Sequence, residues 1–180
     1  MAGKIFINYR REDTRADAAR MRDRLAAAFG ASNVFMDVDN LMAGQRFDQE
    51  LAKALNECDV LLAVIGPQWE PLLAERARSG GRDYVREEIA EALERGVIVI
   101  PVLIERVPVP AADRLPEDIR PLVLHQKHDV SHERFGRDVA ELIQAIKQMR
   151  GAHGPRRSAA KLLRIAAVVL ALAGAAVVGI

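Results

Sequence analysis

Four glutamates occur within one short stretch of predicted helix, and their spacing sets one of them apart. Apolar residues at helical spacing form a stripe along this stretch: Val85, Ile89, Ala92 and Leu93. At 100° per residue, Glu88 lies about 85° from the centre of that stripe, and the other three lie about 145° away or farther: Glu87, Glu91 and Glu94. Glu88 is therefore expected to approach the protein body, where desolvation makes a carboxylate a candidate for a functional site. An ordinary ion pair with Arg10, Arg11 or Arg95 is the alternative.

Two arginines and two aromatic residues suit the binding of a phosphate or a flat ring. Arg10 and Arg11 follow the first apolar run, and guanidinium groups make forked hydrogen bonds to phosphate. Ordinary solvated charge at the end of a strand is the alternative for both. Trp69 and Tyr84 have rings that stack on a flat ligand, although aromatic residues in loops are at least as often packing residues.

Metal and nucleic-acid sites are not expected. Cys58 is the single cysteine, which excludes an intrachain disulfide and a multi-cysteine metal site. His125, His128 and His132 are close in sequence, but Pro121 and the break before them argue against a shared helix face for metal ligands. Four cations and no acids lie beyond residue 150, which leaves 22 basic against 25 acidic residues before it. Because no basic face is implied, a nucleic-acid partner lacks its usual electrostatic driving force.

The elements that must position these residues alternate between strands and helices. Runs that are apolar at successive positions predict strands covered on both faces, at residues 4–9, 34–37, 60–65 and 97–104. Amphipathic spacing predicts four helices. The first covers residues 14–29 with Thr14 as its cap, and the second covers residues 47–55. The third begins after a cap at Asp83, and the fourth begins after a cap at Ser131. This alternation predicts an α/β fold, a flavodoxin-like three-layer sandwich with a parallel central sheet and right-handed crossovers.

The composition changes abruptly after Arg150. Residues 1–150 are predicted to form the globular domain, residues 151–164 a basic linker, and residues 165–180 a transmembrane helix. Those sixteen apolar residues rise about 24 Å as a helix against a hydrocarbon core of ~30 Å, so Arg164 would have to snorkel to the interface. Cations before the segment predict a membrane-anchored protein with its domain in the cytoplasm. A helix docked on the domain is the alternative.

Several motifs, in this order, resemble the TIR domain family. The first is Ile5-Phe6-Ile7-Asn8-Tyr9-Arg10-Arg11, which looks like the family's first box, usually written with Ser at the position of Asn8. Residues 34–37, followed by Leu41 and Gly44, look like the second strand and its BB loop, and residues 99–102 look like the fourth strand. The resemblance covers about residues 4–149, and several ordered motifs make it specific.

The resemblance implies an enzyme that hydrolyses NAD. Family members with this activity carry a catalytic Glu in the pattern aromatic, Val, two residues, Glu, Ile, and residues 84–89 match it with Glu88 in that place. The implied substrate-binding residues are Arg10, Arg11, Asp39, Trp69 and Tyr84. Self-association would involve the BB-like loop through Leu41, Met42 and Gly44. NAD is then a substrate, and neither a cofactor nor a metal is required.

Two rival interpretations share this architecture. Many TIR domains are adaptors that act through TIR–TIR contacts without turnover, and this alternative stays open beside the enzyme. A response-regulator receiver needs an acidic pair after its first strand and a phosphoacceptor Asp after its third. Here Tyr9, Arg10 and Arg11 follow the first strand and Gly66 and Pro67 follow the third apolar run, so the receiver chemistry is missing.

Overall fold

The computed structural model of the chain describes residues 3–36 and 57–153. The strands are β1 (Lys4–Asn8), β2 (Val34–Met36), β3 (Cys58–Ile65), β4 (Ile98–Ile104) and β5 (His128–Val130). The α-helices are α1 (Arg11–Phe29), α2 (Trp69–Ser79), α3 (Tyr84–Glu94) and α4 (Phe135–His153), and short 3-10 helices occupy Ala31–Asn33, Ala112–Arg114 and Glu117–Leu124. The chain divides into two compact units, Met1–Ile143 and Gln144–Ile180. The first unit contains the sheet.

The five strands form one parallel sheet in the order β2-β1-β3-β4-β5. This is the strand order of flavodoxin-like folds, so the prediction of a parallel α/β sheet of that type is confirmed. The order reverses at β1, which pairs with β2 on one side and with β3 on the other. In such sheets ligands bind beyond the carboxyl ends of the strands at the point of reversal. A ligand-binding site is therefore expected beyond the end of β1, at Asn8.

The sheet is buried on both faces because its strands are apolar at successive positions. In β3, every residue from Val60 to Val64 is fully buried. Alternate residues point to opposite faces, and one face packs into a core that includes Trp69 of α2 and Ile89 of α3. Cys58, the single cysteine of the chain, begins β3 and is 9% exposed. Its Sγ donates a hydrogen bond of 2.8 Å to Val60 O.

The helix ends agree in part with the sequence signals. Asp83 caps α3 as predicted, because its side chain accepts a hydrogen bond from Arg86 N. The predicted cap at Thr14 is wrong: α1 begins three residues earlier, Thr14 adopts non-helical φ/ψ inside it, and within the described residues Thr14 Oγ1 has no hydrogen-bond partner. Ser131 does not cap α4 either, since its backbone N and Oγ both donate to Asp138 Oδ2.

The fold prediction is wrong in adding a transmembrane helix. No helix among residues 3–36 and 57–153 is both long and apolar enough to cross a membrane. The two longest helices, α1 and α4, have 19 residues each, but both carry charged residues on the face opposite the core, which excludes them from a hydrocarbon interior. The predicted span, residues 165–180, and the predicted helix at 47–55 lie outside the described residues.

Candidate functional site

A small cleft opens beyond the carboxyl end of β1. Its walls come from the end of β1 and the first turn of α1, and from the first turns of α3 with the residues just before it. Arg76 of α2 completes the mouth. The cavity volume is about 140 Å³. Pockets for whole organic ligands measure about 300–1,000 Å³, so the cleft has room for part of such a molecule.

Glu88 lies at the wall of this cleft and is buried. It is 8% exposed, whereas Glu87 and Glu91 have side chains that are 41% and 39% exposed. The helical spacing therefore gave the right order of burial among the acids of α3. Asn8 Nδ2 donates a hydrogen bond of 2.6 Å to Glu88 Oε2 and another of 3.0 Å to Val85 O. Asn8 was not among the predicted site residues, although it is a polar residue at the end of a buried strand.

Arg10 lines the cleft but is buried. It is 3% exposed, and its guanidinium makes a two-pronged ion pair with Asp83, at 3.1 Å from Nη1 to Oδ1 and 2.7 Å from Nη2 to Oδ2. The guanidinium carbon also lies 5.4 Å from the centre of the Trp69 ring. The alternative of a solvated charge is wrong for Arg10, because this buried contact fixes the cap of α3. The predicted phosphate contact stays a prediction.

The mouth of the cleft carries three further arginines, Arg11, Arg76 and Arg82. Arg76 Nη2 lies 3.2 Å from Glu12 Oε1, and Arg82 Nε lies 2.8 Å from Glu87 Oε2, with all four side chains more than 40% exposed. Exposed pairs of this kind are weak, so an anionic ligand can compete for these cations. Arg11 was predicted from the sequence; Arg76 and Arg82 were not, since they lie far from the strand-end motifs.

The other predicted binding residues fall into three places. Tyr84 lines the cleft, is 41% exposed, and has the Arg82 guanidinium 4.8 Å from its ring centre. Trp69 is fully buried, so its ring packs in the core and does not face a ligand. The remaining predicted residues lie outside the described residues: Asp39, Leu41, Met42 and Gly44.

Asp13 joins the first turn of α1 to the loop before α2. Its carboxylate accepts hydrogen bonds of 2.9 Å from the backbone N of Gly66 and of Gln68. Burial raises the pKa of Asp13, and the two amide bonds and the nearby charge of Arg10 offset only part of that rise. A Cβ at Gly66 would lie 2.4 Å from Thr14 Cγ2 and 2.6 Å from Asp13 Oδ1, so only glycine allows this close approach.

A model of the TIR domain family matches residues 5–143 of the chain. The chain belongs to the TIR domain family. The resemblance inferred from the first box, the second strand and the fourth strand is thereby confirmed.

Two curated proteins are related to this TIR domain. The NAD(+) hydrolase sarm1 of Drosophila melanogaster is 29% identical over 116 residues, which cover 64% of this chain and 8% of that protein. The probable 2' cyclic ADP-D-ribose synthase BdTIR of Brachypodium distachyon is 27% identical over 157 residues, with 79% of this chain and 65% of that protein covered. The chain thus spans less than two thirds of the length of either relative.

Solved TIR structures share the fold. The TIR domains of the activated Roq1 resistosome, which directly recognizes the pathogen effector XopQ, match with a TM-score of 0.58 at 19% identity, covering 82% of this chain and 98% of theirs. A metazoan TIR-STING receptor from C. gigas matches with a TM-score of 0.52 at 19% identity, covering 81% and 40%. At these identities the likeness concerns the fold alone.

Two of the three histidines that are close in sequence, His128 and His132, contact oxygen atoms of the domain itself. His128 Nε2 lies 2.7 Å from Asp138 O, and His132 Nε2 lies 2.9 Å from Asp17 Oδ1. Across residues 3–36 and 57–153, no three side chains of His, Cys, Asp or Glu gather as metal ligands. The charged groups that line the cleft are carboxylates and guanidinium groups.

Proposed function

We propose that this TIR domain cleaves the bond between nicotinamide and ribose in NAD, with Glu88 as the catalytic residue. The observation that carries the proposal is a buried carboxylate at the wall of a small cleft, oriented by the Asn8 amide at 2.6 Å. The names of the two relatives support the substrate, since one is an NAD(+) hydrolase and the other a probable 2' cyclic ADP-D-ribose synthase.

The reaction needs only one carboxylate beside the ribose, and we assign that place to Glu88 because Asp83 is paired with Arg10 and Glu12 with Arg76. Nicotinamide in NAD is cationic, so it takes the electron pair of the broken C1′–N bond and leaves as a neutral ring without receiving a proton. The ribose left behind has oxocarbenium character, which an adjacent carboxylate stabilises, as in glycosidases. Water then forms a bond to C1′ and releases a proton, which gives ADP-ribose. Attack by a hydroxyl of the same molecule gives a cyclic product.

The shape of the cleft supports binding of NAD by one end. A volume of about 140 Å³ has room for the nicotinamide ring, so the ribose and then the diphosphate would lie toward the mouth. Arg11, Arg76 and Arg82 stand there, and guanidinium groups pair well with phosphate oxygens. Tyr84 supplies an exposed ring beside them. In this proposal NAD is the substrate and no further cofactor takes part.

Self-association completes the proposal. The BB-like loop with Leu41, Met42 and Gly44 is the surface that we assign to TIR–TIR contact on the family resemblance. If activity requires assembly, it depends on protein concentration. An adaptor that signals through the same contacts without turnover is the alternative, and the next experiment separates the two.

The test is NAD consumption by the full chain and by its Glu88→Gln variant. Glutamine keeps nearly the same shape and removes the negative charge, so turnover should fall about a hundredfold or more, the scale of one aligned electrostatic group. The thermal midpoint should change little.

Glu91→Gln is the matched control for this test. Glu91 lies one turn farther along α3, is half exposed and pairs with Arg95. Its neutralisation should leave both turnover and thermal midpoint unchanged. A parent that consumes no NAD at high concentration points to the adaptor, and equal rates for the parent and Glu88→Gln remove the catalytic assignment of Glu88.

A further inference from the structure

The amide of Asn8 is fixed in one orientation by its two acceptors. Its Nδ2 donates to Glu88 Oε2 at 2.6 Å and to Val85 O at 3.0 Å, which uses both amide hydrogens. The flipped amide would place Oδ1 against two acceptors, so the observed orientation is the stable one. Asn8 is 1% exposed, and its Oδ1 has no hydrogen-bond partner within the described residues. A buried acceptor without a partner is costly, which indicates that the two donated bonds outweigh this cost.

The backbone around Asn8 makes this contact rigid. Asn8 is the last residue of β1 and is in register with Ala63 of β3, which is fully buried. Val85 O belongs to the first turn of α3, and Glu88 is one turn farther along the same helix. One side chain thus ties the end of β1 to both the start of α3 and the acid that α3 presents.

We propose that Asn8 is the positioning residue for Glu88: its amide fixes the carboxylate in one orientation at the cleft wall and favours the anion over the protonated acid. This inference rests on the proposed function. A hydrogen bond donated to a carboxylate stabilises the ionised form, and a bond near 2.6 Å inside a protein does so strongly. Among residues 3–36 and 57–153, the other charged groups that line the cleft are Arg10, Arg11, Glu12, Arg76, Arg82 and Asp83.

Three of the neighbouring arginines pair with other carboxylates. Arg10 is held by Asp83, and Arg76 and Arg82 pair with Glu12 and Glu87 at the exposed mouth. Asn8 is 1% exposed and donates to Glu88 from the buried end of β1. Loss of its amide would therefore act on the charge of Glu88 as well as on its orientation.

The test compares three substitutions at Asn8 in the full chain. Asn8→Leu has a similar shape and removes both donors, so kcat for NAD should fall about ten- to hundredfold, the range of one hydrogen bond to a charged group, with KM changing less. The acid limb of the pH–rate profile should move to higher pH. Asn8→Asp places a second carboxylate against Glu88 and should move that limb farther. Asn8→Ser retains one donor and should recover part of the loss.

Asn33→Leu is the control for losing a structural asparagine. Asn33 Nδ2 donates 2.8 Å to Phe29 O beyond the end of α1, away from the cleft. This variant should lower the thermal midpoint without moving the acid limb of the pH–rate profile.

A second measurement does not depend on activity. The ¹³C signal of the Glu88 carboxyl, followed against pH, should reach its midpoint at higher pH in Asn8→Leu and in Asn8→Asp than in the parent. If the parent consumes no NAD, the proposed function fails and this midpoint alone decides the role of Asn8. An unchanged midpoint overturns the inference, even where kcat falls, because the residue would then be structural only.

Discussion

Asp138 is a buried carboxylate that hydrogen bonds and nearby charges stabilise in its ionised form. It is 2% exposed, and burial alone would raise its pKa. The backbone N and the Oγ of Ser131 donate to Asp138 Oδ2 at 2.9 Å each, and Arg134 Nη2 lies 3.4 Å from Oδ1. Together with the charge of His128, these contacts hold the pKa of Asp138 below the ordinary value of 3.8. The same carboxylate thereby joins the end of β5 to the first turn of α4.

Replacement of Asp138 by asparagine should destabilise the domain in a pH-dependent way. An acid whose folded pKa is lowered contributes stability above the unfolded value of 3.8, and this contribution is lost as the pH falls through the folded pKa. We expect Asp138→Asn to lower the free energy of unfolding by about 1.5 kcal/mol or more at pH 7 and pH 5. The difference from the parent should narrow below about pH 3.8. Urea unfolding at pH 7, 5 and 3 measures it, and a constant difference at all three would refute the assignment.

For single residues, the sequence predicts burial along a helix, because burial follows the helical period. It does not predict contacts between residues that are far apart in the chain. Glu88 was distinguished from its neighbours because its angle on α3 follows from its number along the chain. Asn8 and Glu88 are 80 residues apart, and a contact across that distance leaves no local signal. The ion pair of Arg10 with Asp83 was also missed, because the two residues are 73 positions apart and their spacing does not reveal that they meet.

Among the elements, α3 carries the site and is anchored at its first turn. Asp83 caps the helix through Arg86 N and at the same time binds both terminal nitrogens of Arg10. The side chains of Arg10 and Asp83 are 3% and 9% exposed. Because one carboxylate serves both contacts, the position of α3 relative to the end of β1 depends on it.

Asp83→Asn should therefore reduce both stability and activity. Removal of one partner leaves the Arg10 charge buried without compensation, and such changes cost about 3 kcal/mol or more. Turnover of NAD should fall as well, since Glu88 moves with its helix. Thermal unfolding and the rate of NAD consumption measure the two effects.

Two further variants test whether the loss of stability comes from the buried ion pair of Arg10 and Asp83. The exposed pair of Arg137 and Glu141 is a matched control, and Glu141→Gln should leave the unfolding midpoint unchanged. The double variant Arg10→Met with Asp83→Asn removes the stranded charge and should be more stable than Asp83→Asn alone. A double variant that is no more stable than the single one would show that the ion pair does not anchor α3.

The elements that the sequence predicts are those with long apolar patterns. All four predicted strands exist where they are described, because each run is apolar on both faces. β5 was missed since it has three residues and only Val130 is fully buried. α2 was missed because its buried residues are few, Trp69 and Leu73, and because its start depends on amide bonds to Asp13, far away in sequence.

For the whole molecule, the proposed self-association predicts that activity depends on protein concentration. The NAD consumed per molecule should rise as the full chain is concentrated, in step with its oligomeric state by light scattering. Gly44→Pro restricts the backbone of residue 44 and of Ala43 before it, so it should weaken assembly and lower activity about tenfold or more at a fixed concentration. The same activity from a demonstrable monomer would exclude the requirement for assembly.

The rate at which a reagent labels the single cysteine, Cys58, should report ligand binding to the domain. Cys58 is the first residue of β3, at the end of that strand away from the cleft, and because it is only 9% exposed we expect a thiol reagent to reach it mainly when β3 opens. A ligand that binds only the folded state slows that opening by mass action, about a hundredfold at a concentration 100 times its Kd. NAD added to the Glu88→Gln variant should thus protect a thiol that it never touches. The labelling rate at a distant sulfur then yields an affinity for the cleft, with no dye or tag added to the protein.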